Sequence, residues 1–434
     1  MAEFNLGFAD EETVREISAA RNEPPWLLAS RLKALESFKR LPIEDHPLFT
    51  KLTDIARARV GECVPFTAPS ESSGEAESDV RVAGAFKQSG GSAHTVCLDP
   101  SLEEKGVILE TLQDAVSRHP QLLKKVAFDH ATLPARDKFA QMSKALWTNG
   151  LFIHIPDCTS LEKPFVIGWS AGRGNSALLS RTIVSMGKDS SAKMVEEILP
   201  GGDSSDSAGT MFGGTVEAVV GDGSVLNCSS LENLGTSASV FLNRHADIGE
   251  GSEAHWALGY VGGEMVRARA DNLLRGRAAK VREVQVLYGD KAQFFDLFSH
   301  TRHLAEDTVS DLLSKGVLQA RSKAYAKGLI TIERGGKGSD SYLGEFGMVL
   351  SRDARFLSIP SLEIENHAVK RAKHSSSVAQ IDERQVFYLM SRGIDESEAR
   401  KMIVMGFLEP VVESIPVESV AERLRGLFQA KWAG

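Results

Sequence analysis

The sequence predicts a mainly β chain: a β-solenoid core preceded by a mixed, largely helical segment and followed by a helical one. Three observations predict this. A glycine-led turn recurs as Gly187-Lys-Asp-Ser, Gly221-Asp-Gly-Ser, Gly249-Glu-Gly-Ser and Gly276-Arg-Ala-Ala, at intervals of 34, 28 and 27 residues. Short apolar runs such as Val281-Arg-Glu-Val-Gln-Val-Leu-Tyr288 fill the intervals, and no helical pattern separates them, so they read as stacked coils rather than strand–helix–strand units. Near residues 374–382 the apolar period changes from that of a strand, at Leu362 and Ile364, to that of a helix, at Val386, Phe387 and Met390.

Taken in order, residues 1–59 read as helices. Asp10-Glu-Glu-Thr starts an acid-capped turn that Val14, Ile17 and Ser18 continue. Pro24-Pro25 suits the first turn of the next helix, where Trp26, Leu27, Leu32, Leu35 and Phe38 share an apolar face and Trp26 is core packing. Residues 67–79, rich in Ser and Glu, predict an exposed or disordered loop, and Ser89-Gly-Gly-Ser92 a flexible break. Between Leu102 and Trp147 the spacing of Leu109, Leu112, Val116, Phe139, Met142 and Leu146 is helical. Gly150-Leu-Phe-Ile-His-Ile-Pro156 reads as a strand that opens the main body. A polar insert at 201–209 accounts for the longest turn interval.

After Asp382 the chain reads as helical. Asp382 with Gln385, and Asp395 with Glu398, have the spacing of capping boxes. Gly393 and Gly406 stand where left-handed C-caps belong, and Pro410 and Pro416 interrupt the pattern. Val417 to Trp432 forms the last helix, with Val420, Leu424 and Leu427 on its inner face. The predicted division is 1–150 mixed, 151–375 solenoid and 376–434 helical.

The net charge of −8 argues against general nucleic-acid binding, which needs a basic field. It suits a soluble cytoplasmic protein. Cys63, Cys97, Cys158 and Cys228 form no CxxC pair, so neither a disulfide framework nor a zinc motif is expected. No apolar run approaches a membrane span, and Met1-Ala-Glu-Phe4 has neither the basic nor the apolar region of a secretory leader.

Three blocks carry a family resemblance. The longest comprises Leu362-Glu-Ile364, Lys370, His374, Val378, Gln380-Ile-Asp382, Phe387-Tyr-Leu389, Ser391-Arg-Gly-Ile394, Ala399-Arg400 and Gly406-Phe407. A second is Asn22-Glu-Pro-Pro-Trp-Leu-Leu28 with Arg31-Leu-Lys-Ala-Leu-Glu-Ser-Phe38 and Leu41-Pro42. A weaker third is Lys315-Gly-Val317, Arg321, Tyr325 and Gly328. Together they resemble the SufB/SufD family, scaffold proteins of iron–sulfur cluster assembly, over most of the chain, with residues 63–148 least covered.

The resemblance implies a right-handed parallel β-helix and a non-enzymatic role. It implies a SufC-type ABC ATPase docking on the C-terminal helices. It also implies pairing with a second solenoid through the β-helix, either a SufB-type chain or another copy. ATP-driven movement would reach that interface, where a transient iron–sulfur cluster forms, none being held firmly by this chain alone. In SufB-type members a cysteine one coil before the equivalent of Leu362 is associated with the nascent cluster. Here no cysteine follows Cys228 and Tyr342–Leu350 carries none, so the chain looks SufD-like. Whether a cluster, a flavin or neither is bound stays open.

On the same basis, Phe387, Tyr388, Arg392, Ile394 and Phe407 form or support the ATPase-docking surface, with Phe387 and Phe407 in the hairpin core. Deleting 383–434 is expected to abolish docking and leave the solenoid folded. His374 aligns with a histidine that SufD-type members place at the solenoid interface. A neutral imidazole ligates iron, so His374 is the candidate residue for cluster assembly and metal, the partner chain supplying the other ligands. His367 lies outside the matched spacing.

Other chemistries find less support. Gly172-Arg-Gly-Asn and Gly335-Gly-Lys-Gly-Ser lack Walker A spacing, so no intrinsic ATPase is expected. A serine-hydrolase elbow is not expected either. Cys228 reads as a core residue. The mixed charges of 383–407 disfavour a DNA-reading helix pair and suit a helix pair that offers an apolar stripe to a partner. The alternative function is a β-helical carbohydrate-active enzyme using Asp296, Glu306, Asp307 and Asp311, with His300-Thr-Arg-His303 as a possible imidazole pair.

Overall fold

The computed structural model describes residues 4, 6–44, 46–50, 55, 57–58, 60–65, 82–89, 93–129, 134–171, 174–201, 209–413, 415 and 417–433. The loop expected at 67–79, the break at 90–92 and most of the insert at 201–209 fall outside them.

Near the N-terminus are α1 (Glu11–Ala20), α2 (Pro25–Arg40), β1 (Val64–Pro65), β2 (Gly84–Ser89) and β3 (Ala93–Leu98). Then come α3 (Pro100–Glu103), β4 (Ile108–Thr111), α4 (Leu112–Arg118), α5 (Pro120–Lys124) and α6 (Lys138–Leu146). From β5 (Asn149–Ile155) the chain coils between two parallel sheets. The first sheet takes β5, β7 (Ser176–Met186), β9 (Met211–Val220), β11 (Ser239–Ile248), β13 (Met265–Leu274), β15 (Phe294–His303), β17 (Lys323–Ile332) and β19 (Arg355–Ile364). The second takes β6 (Ser160–Ala171), β8 (Ser191–Pro200), β10 (Val225–Glu232), β12 (Glu253–Tyr260), β14 (Lys280–Gly289), β16 (Val309–Leu318), β18 (Asp340–Val349) and β20 (Arg371–Ala379). The result is a solenoid of about eight coils, as the turn spacing predicts. The helices α7 (Glu383–Ser391), α8 (Glu396–Val412) and α9 (Glu418–Ala433) follow.

The repeated turn has a physical division of labour. The third residue of each turn is left-handed: φ is 51° at Asp189, 70° at Gly223, 63° at Gly251, 58° at Ala278, 59° at Asp307 and 72° at Gly338. Its N–H donates to the next coil, as Gly223 N does to Glu250 O at 2.8 Å and Asp307 N to Lys337 O at 2.8 Å. The leading glycine serves close stacking instead. A Cβ on Gly276 would lie 2.0 Å from the Glu250 nitrogen. Buried Ser190, Ser224 and Ser252 pass hydrogen bonds up the corner.

Every second strand residue points inward into one apolar core, as Ala254, Trp256, Leu258 and Tyr260 do on β12. The first sheet's outer face receives α6, whose Phe139 and Met142 pack with Phe241, Met265 and Phe294. On the second sheet's outer face, Val404, Leu408 and Val411 of α8 and Leu424 and Phe428 of α9 meet Leu231, Val284, Val286 and Val317.

Four local expectations change. Leu109 lies on β4, not on a helix, because the segment pairs antiparallel with β5 and extends the first sheet. The strand holding His374 runs on to Ala379, since β20 pairs with β18 along its whole length. The helix α8 continues through Gly406 and Pro410. Proline there costs one backbone bond, to the Gly406 carbonyl, near the helix end, while the buried valines and leucine around it hold the helix on the sheet. In α9 the inner face is completed by Phe428, with Leu427 only half-buried. Other local signals hold. Asp10 accepts from Thr13 N, Asp395 accepts from Glu398 N, and Gly393 has φ of 87°.

Candidate functional site

The solenoid's C-terminal end is open. Among the described residues β19 pairs only with β17, and β20 only with β18. Both strands therefore present a free row of backbone donors and acceptors, the feature that invites pairing with another sheet. His374 sits on β20 opposite Leu343. Leu343 belongs to the inner core, and Ala372, two residues before His374, packs against that core. His374 thus takes the inward parity at the mouth of the solenoid. It is exposed, and its ring makes no hydrogen bond or ion pair with another described residue. Lys370 and Arg371 nearby are held by Asp340, at 3.2 and 2.5 Å.

One coil below the mouth lies Glu345, 2% exposed, opposite Ser376 in the register. Ser358 of β19 donates to its Oε2 at 2.5 Å. Burial pushes its pKa up to about 7, with the Ser358 bond and a backbone bond at Ile359 opposing the rise. Its folded pKa therefore exceeds the ordinary 4.5, so the native state binds more protons between those values. Stability is highest below about pH 4.5 for this group and falls as pH rises toward about 7. Glu345→Gln is expected to remove that fall, adding up to about 3 kcal/mol at pH 8. Urea unfolding at pH 5 and pH 8 measures it, and an equal pH dependence in both proteins counts against a buried acid here.

The hairpin α7–α8 stands beside this mouth in sequence. Its inner contacts are Val386 and Ala399, buried, with Arg400 of α8 bridging to Glu383 of α7 at 2.8 Å. Phe387, expected in the hairpin core, is instead 73% exposed. It follows the buried Val386, so one helical step turns it outward. Tyr388, Met390 and Met402 are exposed as well, and Arg392 donates to the Tyr388 hydroxyl at 3.1 Å. Ile394 is half-buried. Phe407 is half-buried against the second sheet, where Lys315 donates to its carbonyl at 2.8 Å and lies 4.8 Å from its ring. It anchors the hairpin to the solenoid.

The distribution of apolar surface singles out this end. Of the nine large hydrophobics exposed among the described residues, seven lie here: Leu357, Ile364 and Val378 on the last strands, and Phe387, Tyr388, Met390 and Met402 on the hairpin. A family model for the SufBD core domain of the SUF system of FeS cluster assembly matches residues 169–407.

The chain belongs to the SufBD family.

Relatives agree over nearly the full length. An iron–sulfur cluster assembly SufBD family protein of Staphylococcus aureus strain USA300 is 28% identical over 431 residues, covering 96% of this chain and 91% of its own. A SufBD family protein of Staphylococcus haemolyticus is 26% identical over 458 residues, covering 98% of this chain and 96% of its own.

Within this SufBD chain the other candidate sites separate. Asp296 lies on the first sheet's outer face, buried and bound by Lys327 at 2.5 Å. Asp311 is on the exposed side of the second sheet, and Asp307 serves a turn, paired with Arg277 at 3.2 Å. Glu306 is exposed beside Asp307, and Asp296 and Asp311 stand on different sheets, not across one sugar-binding cleft as glycoside hydrolysis requires. His300 and His303, three apart on a strand, point to opposite faces; His303 is buried between Thr308 and Ser310 at 2.8 and 2.9 Å. The Gly-x-Ser-x-Gly pentad of such an elbow does occur, as Gly168-Trp-Ser-Ala-Gly172. Ser170 lies within β6, not on a strand-to-helix turn, and so forms no nucleophile elbow. Cys228 is buried in the inner core and burial raises its thiol pKa, while Cys63 is pushed up to about 11. Among the described residues, no group of three or more His, Cys, Asp or Glu is placed to hold a metal ion. No helix there is long and apolar enough to cross a membrane.

Sequence reasoning missed Glu345, Leu357, Met390 and Met402. Met390 and Met402 carry a helical apolar period, but which side of that period meets the solenoid depends on how the hairpin docks.

Proposed function

We propose that this chain is a scaffold subunit in iron–sulfur cluster assembly, presenting two surfaces at one end. The open edge of β19 and β20 pairs with a second solenoid, either a SufB-type chain or another copy. The outward face of α7 and α8, with Phe387, Tyr388 and Arg392, docks a SufC-type ABC ATPase. The chain itself catalyses nothing in this reading and works in the cytoplasm. The observation that carries it is the gathering of exposed apolar side chains on the last two strands and the hairpin.

The cluster is cargo, assembled where the solenoid mouths meet. His374 supplies one ligand from this chain, and the facing chain supplies the rest, because no ligand set is grouped here among the described residues. Histidine is an accepted ligand in place of thiolate in iron–sulfur centres. A strain that depends on this system tests the role. His374→Ala should leave the complex assembled, since the exposed ring makes no contact that folding needs, yet lower the activity of cluster-dependent enzymes several-fold. Normal maturation with an intact complex removes His374 from the chemistry.

A further inference from the structure

The outer face of the first sheet carries a groove of about 600 Å³, away from the hairpin. Its floor spans β11 to β19, with Asp271 and Glu363 among its lining, and its wall is formed by His46 and residues 134–136 from the N-terminal part. A volume of that order is typical of small-molecule sites. His245, Asp271 and His300 share one rung across β11, β13 and β15.

Most polar groups on and beside this rung have partners. Arg269 grips Asp271 with two bonds, of 2.7 and 3.0 Å. His300 places Nδ1 3.6 Å from Asp271 and Nε2 3.1 Å from the Thr331 hydroxyl. Thr331 donates to Glu363 at 3.3 Å, and His46 Nε2 lies 3.4 Å from the same carboxylate. Arg302 is held by Glu333, with one contact of 2.9 Å.

Two groups are left over at one end. His245 is 3% exposed, lines the groove, and has no partner for either ring nitrogen. Burial lowers its pKa and so favours the neutral ring, which leaves both an N–H donor and a lone pair unanswered. Leaving buried polar atoms unpaired costs about 1–3 kcal/mol each, so such atoms call for a partner. Arg136 is exposed at the rim and makes no ion pair or hydrogen bond with another described residue. It follows Ala135 and precedes Asp137, which binds Arg267 of β13 at 2.9 Å, so Arg136 stands over the β13 end of the groove. Glu363 is on β19, three strand spacings away, roughly 14 Å at the usual separation. Between the two ends Phe298 and Leu329 offer an apolar floor.

We propose that this groove binds a small organic anion, its carboxylate or phosphate held by Arg136 and His245 and its apolar body lying over Phe298 and Leu329. Benzoate and phenyl phosphate are suitable probes, since they differ only in the oxyanion and so separate the two sources. Calorimetric titration of the full-length protein should show saturable binding of at least one of them at one site per chain. Arg136→Ala, at an exposed position, should weaken that binding at least about tenfold, a charged hydrogen bond being worth that much. His245→Phe should weaken it similarly; if that variant fails to fold, Arg136→Ala decides alone. No saturable binding of either probe, or wild-type affinity in Arg136→Ala, overturns the proposal.

Discussion

Alanine at both Phe387 and Tyr388 is expected to weaken docking of the SufC-type ATPase by at least about 30-fold, the loss of one strong interface anchor. The two rings are 73% and 56% exposed on α7, so the free chain spends nothing to hold them and should keep its thermal midpoint. Aromatic side chains of this kind supply large contact area at small entropic cost. Arg392→Ala, which removes the guanidinium lying 5.2 Å from the Tyr388 ring, should give a smaller loss in the same direction. Titration of the purified ATPase against wild-type and variant chains measures both. Equal affinities would move the docking surface elsewhere. Deleting 383–434 is not a clean form of this test, contrary to the sequence expectation. It would uncover Leu231, Val284, Val286 and Val317 on the second sheet and damage the solenoid itself.

The largest loss of stability is expected inside the solenoid, from Arg244→Met. Arg244 and Glu196 form an ion pair with both side chains within 2% of full burial. Glu196 also accepts from Trp169 at 3.1 Å and Ser230 at 2.7 Å, and Arg244 donates to Ser230 at 3.0 Å. Removing the cation leaves a carboxylate in the core without its counter-charge, a loss of about 3–5 kcal/mol. The double variant Arg244→Met with Glu196→Gln should recover much of it, because a neutral amide needs no counter-ion. Urea unfolding of the wild type, the two single variants and the double variant measures the cycle. A loss below about 1 kcal/mol in Arg244→Met would show that the pair contributes little to holding these coils together.

The repeat was legible because each coil needs the same corner. The leading glycines alone indicate a solenoid, although the left-handed residue stands two positions later and is Asp or Ala at Asp189, Ala278 and Asp307. Counting glycines therefore worked through their other property, the absence of a Cβ where corners stack. The helix caps at Asp10 and Asp395 were legible for a similar reason, since a cap is settled within four residues. Leu109 misled the reading because a four-residue strand and a helical turn carry the same apolar spacing until a pairing partner is known. Phe387 misled it because the helical period of α7 shows an apolar stripe without saying which part of that stripe faces a neighbour.

By itself the sequence determined the order of the parts: capped N-terminal helices, a run of parallel coils, and a helical end. Turn chemistry, strand alternation and helix capping act over a few residues, and each residue carries its own share of the signal. The tertiary structure alone decided which strands were last, and so which backbone edge stays open beside His374. It alone decided that Phe387 faces outward while Phe407 grips the second sheet, that Glu345 is buried one coil below the mouth, and that His245 and Arg136 line one groove. Those arrangements join residues distant in the chain, and their exposure, their pairing and their protonation follow from what the rest of the fold packs against them.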